Sequence, residues 1–152
     1  MTTPICAFTF FGEAVAKGRP RATSIGGRAR VYTPARTATF EGKVRAIARD
    51  AMVRYGAAPT PDAVKVVIAF DRAMPRSWSR AKVAAHHGQP ITSGADIDNQ
   101  VKAILDALNG VTWEDDVQVS DLAVSRRWAL AHAFRISISP ASGPGIALEV
   151  AA

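Results

Sequence analysis

Cysteine is nearly absent. Cys6 is the single one in 152 residues, so no disulfide can form within the chain and a reducing compartment is expected. It lies in an apolar, strand-like run with no activating group beside it, and reads as a buried structural thiol. Apolar runs long enough to cross a bilayer are also missing. The start, MTTPICAFTFFGEAVAKGRPR, lacks the basic head, apolar centre and cleavage site of a secretory signal. The expectation is a cytoplasmic protein that does not enter a membrane. Acidic residues are scarce: 13 Asp and Glu face 19 Lys and Arg, for a net charge of +6 and a pI near 10.1. Such a surplus calls for a polyanionic partner, most simply nucleic acid. A membrane surface fits less well, because the cations do not share one long amphipathic helix. There is no internal repeat and no linker, and 152 residues at 48% hydrophobic content suit one domain with a real core.

The little acid present is concentrated. Seven of the 13 acidic residues fall between 96 and 121, in and after the stretch GADIDNQVKAILDALNGVTWEDD. Val101, Ile104, Leu105 and Leu108 are spaced as one helix face, and Asp98, Lys102 and Asp106 make a second stripe beside it. Asn109-Gly110 supplies the stop. Two residues apart in an extended entrance, Asp96 and Asp98 face one point, and Asp116 joins them if the strand that follows pairs near the helix start. Three carboxylates there would repel one another unless a hard cation such as Mg²⁺ lay between them. Lys102 would then stand ready for charge developing on a phosphate. Read more plainly, helix capping explains either aspartate, and a surface ion pair explains Lys102.

The basic residues collect earlier: 10 of the 19 lie between 17 and 54. Glycine and proline across about 16–35 predict a basic loop or short hairpin with Gly26-Gly27 at its tip, able to follow a phosphate backbone. A helix is expected over about 36–55, with Thr37 or Thr39 as cap and Phe40, Val44, Ile47, Ala48 and Ala51 as its apolar stripe. Arg45 and its basic neighbours then lie on the other faces. Strands are expected at 5–11, 63–70, 117–128 and 132–138, the last two paired as a hairpin. Val111 to Trp113 reads as a further short strand, and a short helix is expected over 79–86 after Ser77 or Ser79. His86-His87 reads as surface loop, His132 as structural, and Trp78, Trp113 and Phe134 as packing residues. The tail from about 140 to 152 is either loose or a final strand.

DIDNQVKAILDALNG followed by WEDDVQV resembles the RusA family of Holliday-junction endonucleases, whose members are often carried by phages and prophages. The KGRPR segment, RVYTP leading into a helix, and a long strand ending in Arg126-Arg127 fit the same pattern in the same order. The resemblance implies one α+β domain across 1–152: a small mixed β-sheet with about two main helices on it. It implies Asp96, Asp98 and Asp116 as the metal-binding catalytic carboxylates and Lys102 as the catalytic lysine, with Asp115 assisting or facing away. Mg²⁺ is the implied cofactor, and four-way junction DNA, cut symmetrically by a homodimer, is the implied substrate. A two-fold dimer matches the near two-fold symmetry of such a junction. Lys17, Arg19, Arg21, Arg28, Arg30, Arg36, Arg126 and Arg127 are then the expected DNA contacts. Residues 72–93 match no motif. Two other readings use the same residues: a DNA-binding module without catalysis, and a metal-dependent nuclease for flaps or RNA.

Overall fold

A computed structural model describes residues 3–151. Strand β1 (Cys6–Phe11) is followed by the hairpin strands β2 (Arg21–Ile25) and β3 (Arg28–Tyr32), then helix α1 (Ala35–Arg54) and strand β4 (Val64–Ala73). Helices α2 (Arg80–His86) and α3 (Ile97–Leu108) come next, then a 3₁₀ turn at Asp116–Gln118 and strands β5 (Val119–Ala129) and β6 (Ala133–Pro140). Four strands form one mixed sheet in the order β1-β6-β4-β5; β2 and β3 pair only with each other.

Alternation along the strands makes one face of the main sheet apolar. Cys6, Phe8 and Phe10 of β1, Val64, Val66, Ile68 and Phe70 of β4, and Phe134, Ile136 and Ile138 of β6 are all buried. Helices α1 and α3 cover this face with Phe40, Val44, Ala48 and Ala51 from one and Val101, Ala103, Ile104, Ala107 and Leu108 from the other. Phe10 and Phe134 stack with ring centres 4.7 Å apart, and Phe40 meets both edge-on. Burial of each such side chain stabilises the fold by about 1.5–3 kcal/mol. A second, smaller cluster joins Met74, Ile91 and Trp128, with Trp78 and Val83 against it. It seats the segment 74–93 on the end of β5, where Trp128 and Gln89 share a backbone bond.

The expected hairpin of the last two strands does not form. β4 lies between them, parallel to β5 and antiparallel to β6. VKVVIAF is the most apolar strand run, and the central position satisfies both of its edges and buries it best. The link Leu130–His132 can do this because four residue steps reach roughly 13 Å, more than two strand spacings. His132 Nδ1 accepts a hydrogen bond from Ala73 N at 3.3 Å where the link passes the end of β4, a structural role as expected.

Other local readings also shift. Helix α1 starts earlier than predicted, with Pro34 as cap residue. Thr37 lies inside the first turn, where its hydroxyl accepts from Gly18 N at 3.1 Å. Val111 to Trp113 is a turn joined to its surroundings by isolated bridges. His86 belongs to α2, packed on Trp78, while His87 follows the helix. β6 runs to Pro140, and residues 141–151 contain no strand.

Candidate active site

The parallel pairing of β4 and β5 requires a long crossover, and α3 is its main element. It therefore runs beside the edge strand β5. Between them lies an open groove of about 390 Å³, with Val101, Leu105, Leu122 and Val124 as apolar floor. Asp98, Lys102, Asp106 and Asp116 line the same groove. Asp98 stands in the first turn of α3, where the helix dipole favours an anion. Lys102 is exposed one turn on. The three salt bridges among the described residues involve neither Asp98 nor Lys102, so this is not the plain surface ion pair that the spacing allows.

Asp96 is the N-cap residue of α3, yet its side chain makes no capping bond. The helix begins between Asp96 and Asp98, so the two do not share an extended segment. Asp116 follows the turn beyond the last residue of α3, and β5 begins beside the start of β4. Asp116 reaches the groove from the turn that precedes β5 and lines it together with Asp98. Among the described residues no three His, Cys, Asp or Glu side chains are grouped as a metal cage.

Asp116 is held by a core residue. Trp113 is fully buried, and its Nε1 donates to Asp116 Oδ1 at 3.0 Å. Asp115 is used differently. Its carboxylate accepts from Val117 N at 3.3 Å, and Gln118 Oε1 accepts from Asp115 N at 2.7 Å, closing a capping box on the 3₁₀ turn. Nothing in the residue types separates two adjacent aspartates; the turn does.

The basic segment divides in the same way. Lys17 does not project into solvent: its Nζ lies 2.6 Å from Glu41 on α1 and 2.8 Å from Asp106 on α3, and its backbone N donates to Asn99 O at 2.9 Å. Burial pulls its pKa down, but the bonds to Asp106 and Glu41 outweigh that and leave it raised above the ordinary lysine value. Gly18 beside it has no room for a side chain, since a Cβ would press on Pro34 Cγ at 2.9 Å and Thr37 Oγ1 at 3.0 Å. Lys17-Gly18 therefore roots the next segment against both helices, next to the start of α3.

Beyond that root, β2 and β3 form an exposed arm with Gly26 and Gly27 at its tip, at φ of 59° and 76°, which a two-residue hairpin turn of this kind needs. Arg21 pairs with Tyr32, Thr23 with Arg30 and Ile25 with Arg28. These pairs share one face, so all three arm guanidiniums lie on it; Ala22, Ser24, Ala29 and Val31 form the other. Arg19 and Arg36 are exposed at the foot of the arm.

Arg126 and Arg127, adjacent on β5, point to opposite faces of the sheet. Arg127 is exposed, and its Nη1 donates to the carbonyl of Arg126 at 2.8 Å. Arg126 is half-buried and turns toward α3, where it meets Ala95 O and Gln100 Oε1. Arg45 is likewise used internally. It donates to Ala107 O at 3.2 Å, at the C-terminal end of α3, which has no basic residue of its own in its last turn. Sequence spacing could not reveal that an arginine on one helix closes another.

The family model described as "Endodeoxyribonuclease RusA" matches residues 12–139. An uncharacterized protein of Bacillus subtilis (strain 168), YqaN, is 36% identical over 126 residues, covering 78% of this chain and 84% of that protein. The matched span contains the arm, both main helices, the groove, β4, β5 and β6 up to its next-to-last residue, and begins directly after β1.

Proposed function

The chain belongs to the RusA endodeoxyribonuclease family, and from that premise we propose that it resolves four-way DNA junctions by paired, symmetric, Mg²⁺-dependent hydrolysis, acting as a homodimer. The observation that carries the reading is the placement of Asp98, Lys102 and Asp116 in one groove, next to the root of an arm with its arginines on one face. The donor types suit Mg²⁺, which takes oxygen ligands, keeps water, and commonly binds through one or two carboxylates together with substrate phosphate. Asp96 and Asp98 at the start of α3 would hold it, with Asp116 as the third proposed carboxylate. When bound, the ion supplies positive charge to a phosphodiester and acidity to a water.

The remaining work falls to this chain's own side chains. Lys102 places an ammonium in the groove, where it offsets negative charge gathering on phosphate oxygens. The floor of Val101, Leu105, Leu122 and Val124 keeps water away from one side and strengthens that interaction. The arm and the surplus of cations bind backbone phosphates, so recognition follows the shape of the branch and weakens steeply with salt. Two copies related by a two-fold axis present two grooves to two equivalent strands.

A cleavage panel tests this directly. Four-way junction, flap, linear duplex and RNA are each incubated with Mg²⁺ or with chelator. Symmetric paired nicks are expected in the junction alone, and only with the metal. Asp98→Asn should still bind the junction while losing about 100-fold or more in cleavage. Parent-like cutting by that variant would remove the catalytic assignment. Preference for flaps or RNA would redirect the activity, and binding without cleavage of any substrate would leave a DNA-binding module. Light scattering at micromolar concentration reads the dimer, and a monomer that still makes paired nicks would refute it.

A further inference from the structure

Two arginines outside the proposed catalytic set grip the loop that leads into α3. Arg72, near the end of β4, donates from Nη1 to Ser93 O at 3.0 Å. Arg126, on the neighbouring β5, donates to Ala95 O and lies 3.4 Å from Gln100 Oε1. The carbonyls they hold are three residues and one residue before Asp96. No backbone–backbone hydrogen bond holds Ser93, Gly94 or Ala95 among the described residues, so the two guanidiniums are the loop's main polar anchors.

The arrangement is built on both sides. Arg72 lies over the ring of Trp128, 5.3 Å from its centre, and Trp128 is buried against Met74 and Ile91. The segment 74–93, which carries no motif, thereby acquires a structural purpose as the wall that holds Arg72. On the loop side, Gly94 has φ of 89°, and a Cβ there would collide with Arg72 Nη1. The backbone conformation favours glycine, and a side chain there would push the guanidinium out of its place. Charge-assisted bonds from arginine to carbonyl oxygen are among the stronger single contacts, and the planar head loses little freedom in making them.

We propose that Arg72 and Arg126 are positioning residues that clamp Ser93–Ala95, fixing the start of α3 and with it Asp96 and Asp98. Arg126, a DNA contact by sequence resemblance, acts through the loop. The inference rests on the nuclease reading for its consequence in catalysis, but the clamp itself is a property of the free protein.

The test compares the parent with Arg72→Met, Arg126→Met, Arg126→Lys and Gly94→Ala, the last keeping both positive charges. Hydrogen exchange over 93–98 is followed in the free protein without metal. Junction affinity is measured in chelator, and single-turnover cleavage at saturating protein with Mg²⁺ varied. In both methionine variants exchange at 93–98 should rise about 10-fold or more while the rest of the chain is unchanged. Junction Kd should stay within about 2-fold, and cleavage should fall about 10–100-fold. Gly94→Ala should show the same pattern, and Arg126→Lys should recover part of the loss. Unchanged exchange at 93–98 overturns the clamp. So does a loss of affinity with full cleavage at saturation, because the arginines would then be DNA ligands. If the parent cuts nothing, the nuclease reading fails while the exchange data still decide the clamp.

Discussion

Trp113 ties the acidic stretch to the core. Its ring is fully buried, and its one polar atom fixes Asp116. Trp113→Phe should keep most of the packing, remove that donor, and cost about 1–2 kcal/mol in urea unfolding. Junction cleavage should fall with it, because Asp116 would lose its fixed orientation; unchanged cleavage would detach Asp116 from the chemistry. Cys6 is the opposite case, a reactive group made inert. Burial pushes its thiol pKa up to about 11, with Arg54 pulling back slightly. The folded state therefore keeps this proton after the unfolded chain has released it. The stabilisation is whole below pH 9.0, the unperturbed value, and is lost as pH rises to about 11. A thiol reagent at pH 8 should label Cys6 only on unfolding, and Cys6→Ala should show a shallower fall in stability between pH 9 and 11.

At the scale of elements, Lys17 is a joint between α1, α3 and the arm. Lys17→Met leaves Glu41 and Asp106 facing each other without a cation and should cost about 2 kcal/mol, read by chemical denaturation. Its raised pKa acts in the same sense: the stabilisation is present below the ordinary lysine value and fades only as pH rises past it. The arm makes the contrary prediction. It pairs with itself and its strands are exposed, so replacing Arg21, Arg28 and Arg30 by Gln should leave the melting temperature unchanged. Junction affinity should fall, and the slope of log K against log salt should become shallower by roughly 0.9 per phosphate contact removed. Ala22→Gln and Ala29→Gln, on the other face, should leave that slope alone. Equal effects from both faces would mean that the arm does not bind with its arginine side.

For the whole molecule, the central strand matters most. β4 pairs on both edges and buries Val66, Ile68 and Phe70 under the helices. Ile68→Ala should therefore cost about 2–5 kcal/mol in equilibrium unfolding. The same strand sets the site. Because β5 runs parallel to it, the chain must cross the sheet between them, and that crossover lays α3 along the edge strand and opens the groove. No helix among the described residues is long and apolar enough to cross a membrane.

Much of this was legible in the sequence, wherever a pattern is local. The 3.6-residue stripe of α3, the alternation of the strands and the double glycine of the arm depend on near neighbours, and each of these elements stands within a few residues of where it was expected. The identity of the family was also legible, because its motifs are short and ordered. Long-range pairing was not. Periodicity says that a strand has a buried face but not which strand lies beside it, so the order β1-β6-β4-β5 had to come from the fold. For the same reason composition marked Lys17, Arg45 and Arg126 only as cations. Their partners lie at least 24 residues away in the sequence. Only the tertiary structure turns these cations, and Arg72 with them, inward onto the helices and the loop that carry the acidic groove.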